Sequence, residues 1–164
     1  MEDCTHEFVL RRVKALQNNL VIETISGKPL YFVKPKALAT TKTLLVLDTG
    51  ENAVAKIKQC ISLIVPKYRV VIKDDATFSV TRKFSLSHDY LIKGIPWAVN
   101  GDFTSFKYRV LDQSEKTVFE INKDLNSWEN RYVVKAFNSD CVLYGICIAI
   151  AIDAAISAVR SSSN

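Results

Sequence analysis

The sequence predicts a mainly β protein, a closed antiparallel barrel of about twelve strands around a central hydrophobic C-terminal α-helix. Three observations carry this. Short runs rich in Val, Ile, Tyr and Phe alternate with polar turn residues roughly every eight to twelve positions from Phe8 to Phe137. They are followed by the one long apolar run, Cys141–Val159, which has neither a period of two nor an amphipathic stripe, so a helix there is apolar on every side and must be surrounded. Lengths also agree, because about nineteen helical residues span roughly 28 Å and tilted strands of six to eight residues give a wall of similar height. A barrel of about eight strands is filled by its own side chains, whereas one of about eleven encloses a central helix.

In chain order, strands are expected near Phe8–Val13, Leu20–Ile25, Leu30–Lys36, Thr43–Asp48, Ala53–Gln59 and Tyr68–Lys73, then Thr77–Phe84, Asp89–Lys93, Trp97–Asn100, Ser105–Leu111, Thr117–Lys123 and Arg131–Phe137. The turns between them have mechanisms: Ser26-Gly27, Asp48-Thr49-Gly50, Asp74-Asp75, Asn100-Gly101-Asp102 and Asp112-Gln113-Ser114 supply side-chain caps or tolerate positive φ. Ala53, Ala55 and Ile57 against Val54, Lys56 and Lys58, like Phe119 and Ile121 against Glu120 and Asn122, give strands with one wet face. An internal repeat links the halves. Glu51, Val54, Ile57, Lys67, Tyr68 and Val70 match Glu115, Val118, Ile121, Arg131, Tyr132 and Val134 at constant offset, so one strand–corner–strand unit is used twice.

The helix is expected over about residues 140–158, with Asn138, Ser139 and Asp140 as N-cap oxygens and Asp140 suited to the positive end of the helix dipole. Gly145, Ala149, Ala151, Ala154 and Ala155 let a surrounding wall come close. A membrane span needs roughly 20 apolar residues. Asp153 interrupts this run first, so burial in protein is expected and no transmembrane span.

At 164 residues and 48% hydrophobic composition, the chain fits a single domain over residues 1–164. A formal charge of +5 without a run of five basic residues suggests mild attraction to anions and otherwise a solvated surface. Cys4, Cys60, Cys141 and Cys147 form no CxxC pair and no zinc spacing, and the N-terminus lacks the features of a secretion signal, so a cytoplasmic protein with reduced thiols is expected.

The order of several segments resembles the LURP-one-related proteins of the Tubby C-terminal-like superfamily, which also includes the phospholipid scramblases. These segments are Gly27-Lys-Pro-Leu-Tyr-Phe-Val, Leu45-Val-Leu-Asp-Thr-Gly, Ile57-Lys with Pro66-Lys-Tyr-Arg-Val, Tyr90-Leu-Ile-Lys-Gly and Trp97-Ala-Val-Asn-Gly-Asp-Phe. Ser127-Trp128, Arg131-Tyr132 and Ile150-Ala-Ile-Asp close the series. The resemblance implies a twelve-stranded barrel around a hydrophobic helix. It also implies an anion site on the outer surface, because Tubby-type relatives bind phosphoinositides through basic residues there, at a position corresponding to the segment from Lys34-Pro35-Lys36 to Lys42.

No catalytic constellation is evident. His6 and His88 have no Cys, Ser or carboxylate partner at a recognisable spacing, the five glycines are isolated, and no RRM or zinc-finger pattern is found. No cofactor, metal or nucleic acid is expected. Trp97 and Trp128 are expected to plug barrel ends, and Asp153 to be structural through a partner or an exit to water. Lys34 and Lys36 lie two apart on one strand and Lys42 on the return, so together they can hold a headgroup as point charges; lysines that merely solvate a strand edge are the alternative. The expected function is that of a non-enzymatic binding or scaffold domain, whose partner is an anionic lipid headgroup, peripheral to a membrane, or another protein. The alternative is a membrane-associated lipid-handling protein resembling phospholipid scramblases.

Overall fold

A computed structural model describes residues 5–13, 19–83, 90–102, 105–125 and 131–162. The strands are β1 (His6–Arg12), β2 (Leu20–Thr24), β3 (Pro29–Pro35), β4 (Thr43–Leu47), β5 (Ala53–Cys60), β6 (Lys67–Ile72), β7 (Thr77–Arg82), β8 (Tyr90–Lys93), β9 (Ala98–Asp102), β10 (Lys107–Leu111), β11 (Thr117–Lys123) and β12 (Tyr132–Ala136). Each pairs antiparallel with the next, and β1 pairs with β12, so the sheet closes into a barrel with no free edge. Strand bounds agree with the expected ones to within two residues; Phe84 and Asp89, placed at strand ends from the sequence, lie outside the described residues.

Alternation decides which side chains enter the barrel. Ala55 and Ile57 on β5 are buried while Lys56 and Lys58 are exposed, and on β6 Tyr68, Val70 and Ile72 are buried while Lys67 and Arg69 face out. The repeat in the sequence is a repeat in space. In the β4–β5 turn the Asp48 carboxylate accepts from the N–H groups of Gly50 and Asn52, and in the β10–β11 turn Asp112 accepts likewise from Ser114 and Lys116. Glu51 and Glu115 occupy the left-handed region at φ 64° and 60°, and the register shifts after Val46 in one hairpin and after Val110 in the other.

A single 3₁₀ turn, Ser139–Cys141, precedes α1 (Val142–Ser162), so the helix starts and ends later than the sequence indicated. Asn138 caps the turn by accepting from the Asp140 N–H. The seven consecutive residues Ile146–Ile152 all have 0% exposure. Since a helical turn takes about 3.6 residues, no side of the helix reaches solvent there, and the wall surrounds it completely. By length and composition Ser139–Val159 is able to cross a membrane, but in this fold the barrel takes the place of lipid. Gly145 is where the wall comes closest: a Cβ there would lie 2.5 Å from the Phe119 ring. Trp97 packs edge-on against Phe119 and Tyr144, each at 5.5 Å, and closes the barrel beside the start of the helix.

Candidate functional site

Because strands alternate in direction, the β1–β2, β3–β4, β5–β6, β7–β8, β9–β10 and β11–β12 connections share one end of the barrel, the end towards which α1 runs. This end carries the candidate site. Lys36 follows β3 and its N–H donates to the Thr43 carbonyl at 2.8 Å; the Lys42 carbonyl accepts from the Gln59 N–H at 2.8 Å. The connection between them is thus pinned at both sides. It encloses an open groove of about 340 Å³ lined by Lys36, Thr40, Thr41, Lys42 and Thr43. The Thr43 hydroxyl donates to the Thr41 carbonyl, whereas the buried Thr41 Oγ1 meets no protein partner.

Of the three lysines singled out in the sequence, Lys36 and Lys42 line this groove and Lys34 does not. Lys34 faces outward one strand position inside the rim, with its Nζ 3.7 Å from the exposed Glu51 carboxylate. Lys42, although exposed overall, is coupled to charges at the barrel mouth. Partial burial lowers its pKa, the attraction of Asp153 opposes that, and the like charge of Arg12 adds to the lowering. The charges of Lys42, Arg12 and Asp153 therefore act on one another at the barrel mouth. Arg12 Nη2 bonds Asp153 Oδ2 at 2.5 Å, with both side chains partly shielded.

Tyrosines form the floor beneath this pair. Burial pushes the Tyr68 phenol up to about 12, and Asp153 adds to the shift. Tyr132 is raised further for the same two reasons; its hydroxyl feels Asp153 but makes no well-aligned bond to it. Tyr90 is raised mainly by burial and stands edge-on to Tyr108 at 5.8 Å, while Arg82 partly offsets both shifts. The buried hydroxyl of Tyr68 meets no partner among the described residues, while that of Tyr108 faces the Tyr90 hydroxyl and that of Tyr132 the Asp153 carboxylate. The mouth therefore presents the positive charge of Lys36 and Lys42 above these phenols, with Asp153 as the acid already held by Arg12.

Asp153 stood out in the sequence, and its partner Arg12 did not. The signal was nevertheless present: Phe8, Leu10 and Arg12 are two apart on one strand, so a cation ends an inward-facing row. Elsewhere, a larger concavity of about 550 Å³ lies on the outer face of β9–β11, but the register sets Arg109 opposite Glu120 and Lys107 opposite Asp102, so its charges are matched. His6 lies 6.4 Å from the Phe8 ring, ring to ring. Cys147 is buried, its thiol raised to about 12, while Cys60 and Cys141 are half-buried. Among the described residues no group of His, Cys, Asp and Glu is arranged to hold a metal. Cys4, His88 and Trp128 lie outside the described residues.

Residues 6–153 match the family model described as LURP-one-related. The uncharacterised protein YxjI of Bacillus subtilis (strain 168) is 27% identical over 111 residues, which is 67% of each chain. A crystallised protein of Arabidopsis thaliana has the same fold, with a TM-score of 0.64 over 92% of this chain and 91% of that one, at 17% identity.

Proposed function

From the premise that this chain belongs to the LURP-one-related family, we propose that it is a non-enzymatic binding domain that holds an anionic headgroup at the β3–β4 connection. The observation that carries this is the groove itself, lined by Lys36 and Lys42 on a connection pinned at both sides. Two ammonium groups on one held connection supply the charge that a phosphate needs. Arg12 is neutralised by Asp153, so the net charge of the groove is that of Lys36 and Lys42, while Lys34, engaged with Glu51, stands at the periphery of the site. Enclosure of α1 on all sides supports a domain that reads headgroups from outside the bilayer, over one that inserts this helix, since insertion requires the barrel to open.

Co-sedimentation with vesicles tests this. Binding to vesicles containing phosphoinositide or phosphatidylserine is expected to fall with salt, because exposed charge pairs are screened over about 8–10 Å. With each basic residue near an anionic surface contributing ~1 kcal/mol, Lys36→Ala/Lys42→Ala is expected to bind at least about tenfold more weakly. Lys34→Ala is expected to change little. Equal binding by wild type and the double variant rules out the groove.

A further inference from the structure

Among the described residues, the end of the barrel that holds the groove also carries most of the exposed large apolar side chains. Leu38 and Leu63 are fully exposed, Ile61 is 88% and Ile64 78% exposed, and Leu125 is exposed as well. All five lie on connections at the end where α1 finishes; the opposite end has Ile25, and Leu91 lies on the wall. Leu38 is held in the left-handed region at φ 56°, a conformation that a leucine adopts only when the chain around it requires it. From Cys60 to Pro66 the β5–β6 connection has no charge, and Lys58 and Lys67 flank it.

Charge separates the same two ends. On the connections at the α1 end, the described residues include Lys36, Lys42, Lys83 and Arg131, and the acid there, Asp124, is bonded by Arg131 at 2.8 Å. The connections at the other end hold seven carboxylates, among them Asp48, Asp74, Asp75 and Asp140, against three lysines. Among the described residues, then, one end of the barrel is acidic and the other basic, and apolar side chains project from the basic one. Three neighbouring or facing points on a rim, each tipped by leucine or isoleucine and set among cations, define a plane rather than a pocket. An acidic protein surface would match the charge but offers no apolar layer of that extent. An anionic bilayer offers both.

We propose that the α1 end of the barrel docks on an anionic membrane surface, sinking Leu38, Ile61, Leu63, Ile64 and Leu125 below the headgroups while the cations around them meet the phosphates. The choice of an anionic lipid rests on the headgroup reading above; the docking geometry rests on the exposed apolar connections. In this pose the carboxylates of the far end point away from the bilayer, and lysines flanking the apolar segment keep their ammonium groups in the headgroup layer.

The test compares wild type, Ile61→Ser/Leu63→Ser/Ile64→Ser, Ile25→Ser and the Lys36→Ala/Lys42→Ala variant. The readouts are binding to phosphatidylcholine vesicles with and without phosphatidylserine, and quenching of a Leu63→Trp variant by lipids brominated on their acyl chains. The triple serine variant is expected to keep its melting temperature, since it changes only exposed side chains, and to bind at least about tenfold more weakly at moderate salt. Ile25→Ser is expected to bind as wild type, and the Leu63→Trp variant to show more quenching by brominated lipid than wild type. Full binding by the triple serine variant, absence of added quenching, or absence of binding to any vesicle overturns the proposal. So does a concentration-dependent dimer that the serine changes dissolve, because a second copy is then the occupant. If the serine variant loses binding and the lysine variant keeps it, docking stands and the groove fails; the reverse result sinks docking and leaves the groove.

Discussion

Arg12 and Asp153 are 141 positions apart and meet only because β1 ends where the late part of α1 passes. The Asp153 side chain is mostly buried late in an apolar helix, and the guanidinium is the charged partner that such a carboxylate requires. Asp153→Asn keeps the shape and removes the charge, leaving Arg12 without its counter-charge and setting an amide N–H₂ against the guanidinium in one of its two orientations; a loss of about 1–3 kcal/mol in urea denaturation is expected. Combination with Arg12→Met is expected to cost less than the sum of the two single changes, which a double-mutant cycle measures. At Gly145 the issue is space. A methyl group there meets the Phe119 ring, which is fully buried and has no room to yield. Gly145→Ala is therefore expected to destabilise by about 1–3 kcal/mol in the same measurement, although alanine is the better helix former. A gain in stability would show that the barrel wall shifts freely around the helix.

At the scale of elements, the strands were legible because a strand is a local object. Five to eight residues suffice to show a period of two, and Ala55-Lys56-Ile57-Lys58 fixes which face is buried with no knowledge of the partner strand. The paired turns were legible for a similar reason, since Asp48 and Asp112 each bond N–H groups two and four residues ahead. The ends of α1 were read less well. Its first turn is 3₁₀ and is set by the Asn138 cap, and its last residues continue beyond the apolar run, where sequence hydropathy no longer marks it.

For the whole molecule, the tyrosines give a prediction. The chain has six, and all six phenols are raised above 10.0, with burial as the leading cause each time. In the unfolded chain they ionise near the ordinary value, so above pH 10 the unfolded state releases protons that the folded state retains. The stability these phenols contribute is therefore complete below pH 10 and declines as pH rises towards their folded values, by up to ~1.4 kcal/mol per pH unit for each of the buried Tyr68, Tyr90, Tyr108 and Tyr132, and by less for the half-buried Tyr31 and Tyr144, which water screens. Lys42, whose pKa is lowered, works in the opposite direction through a single proton. Tyrosinate absorbance at 295 nm is expected to appear together with the loss of circular dichroism in one cooperative step. Titration near pH 10 in a still folded barrel would mean that the phenols are open to water.

The sequence by itself determined the number and order of the strands, which faces are apolar, the repeated hairpin and the need to enclose the last helix. Each of these follows from patterns within a few turns or pleats. Only the tertiary structure decided what gathers at the rim. It separated Lys34 from Lys36 and Lys42, brought Arg12 to Asp153, and placed Lys42 within reach of their charges. It also decided that Ile61, Leu63 and Ile64 face outward. In sequence they are as apolar as the core residues of β6, and hydrophobicity alone does not say whether a side chain is covered. That depends on where the wall ends, which is set when β1 meets β12 and the barrel closes.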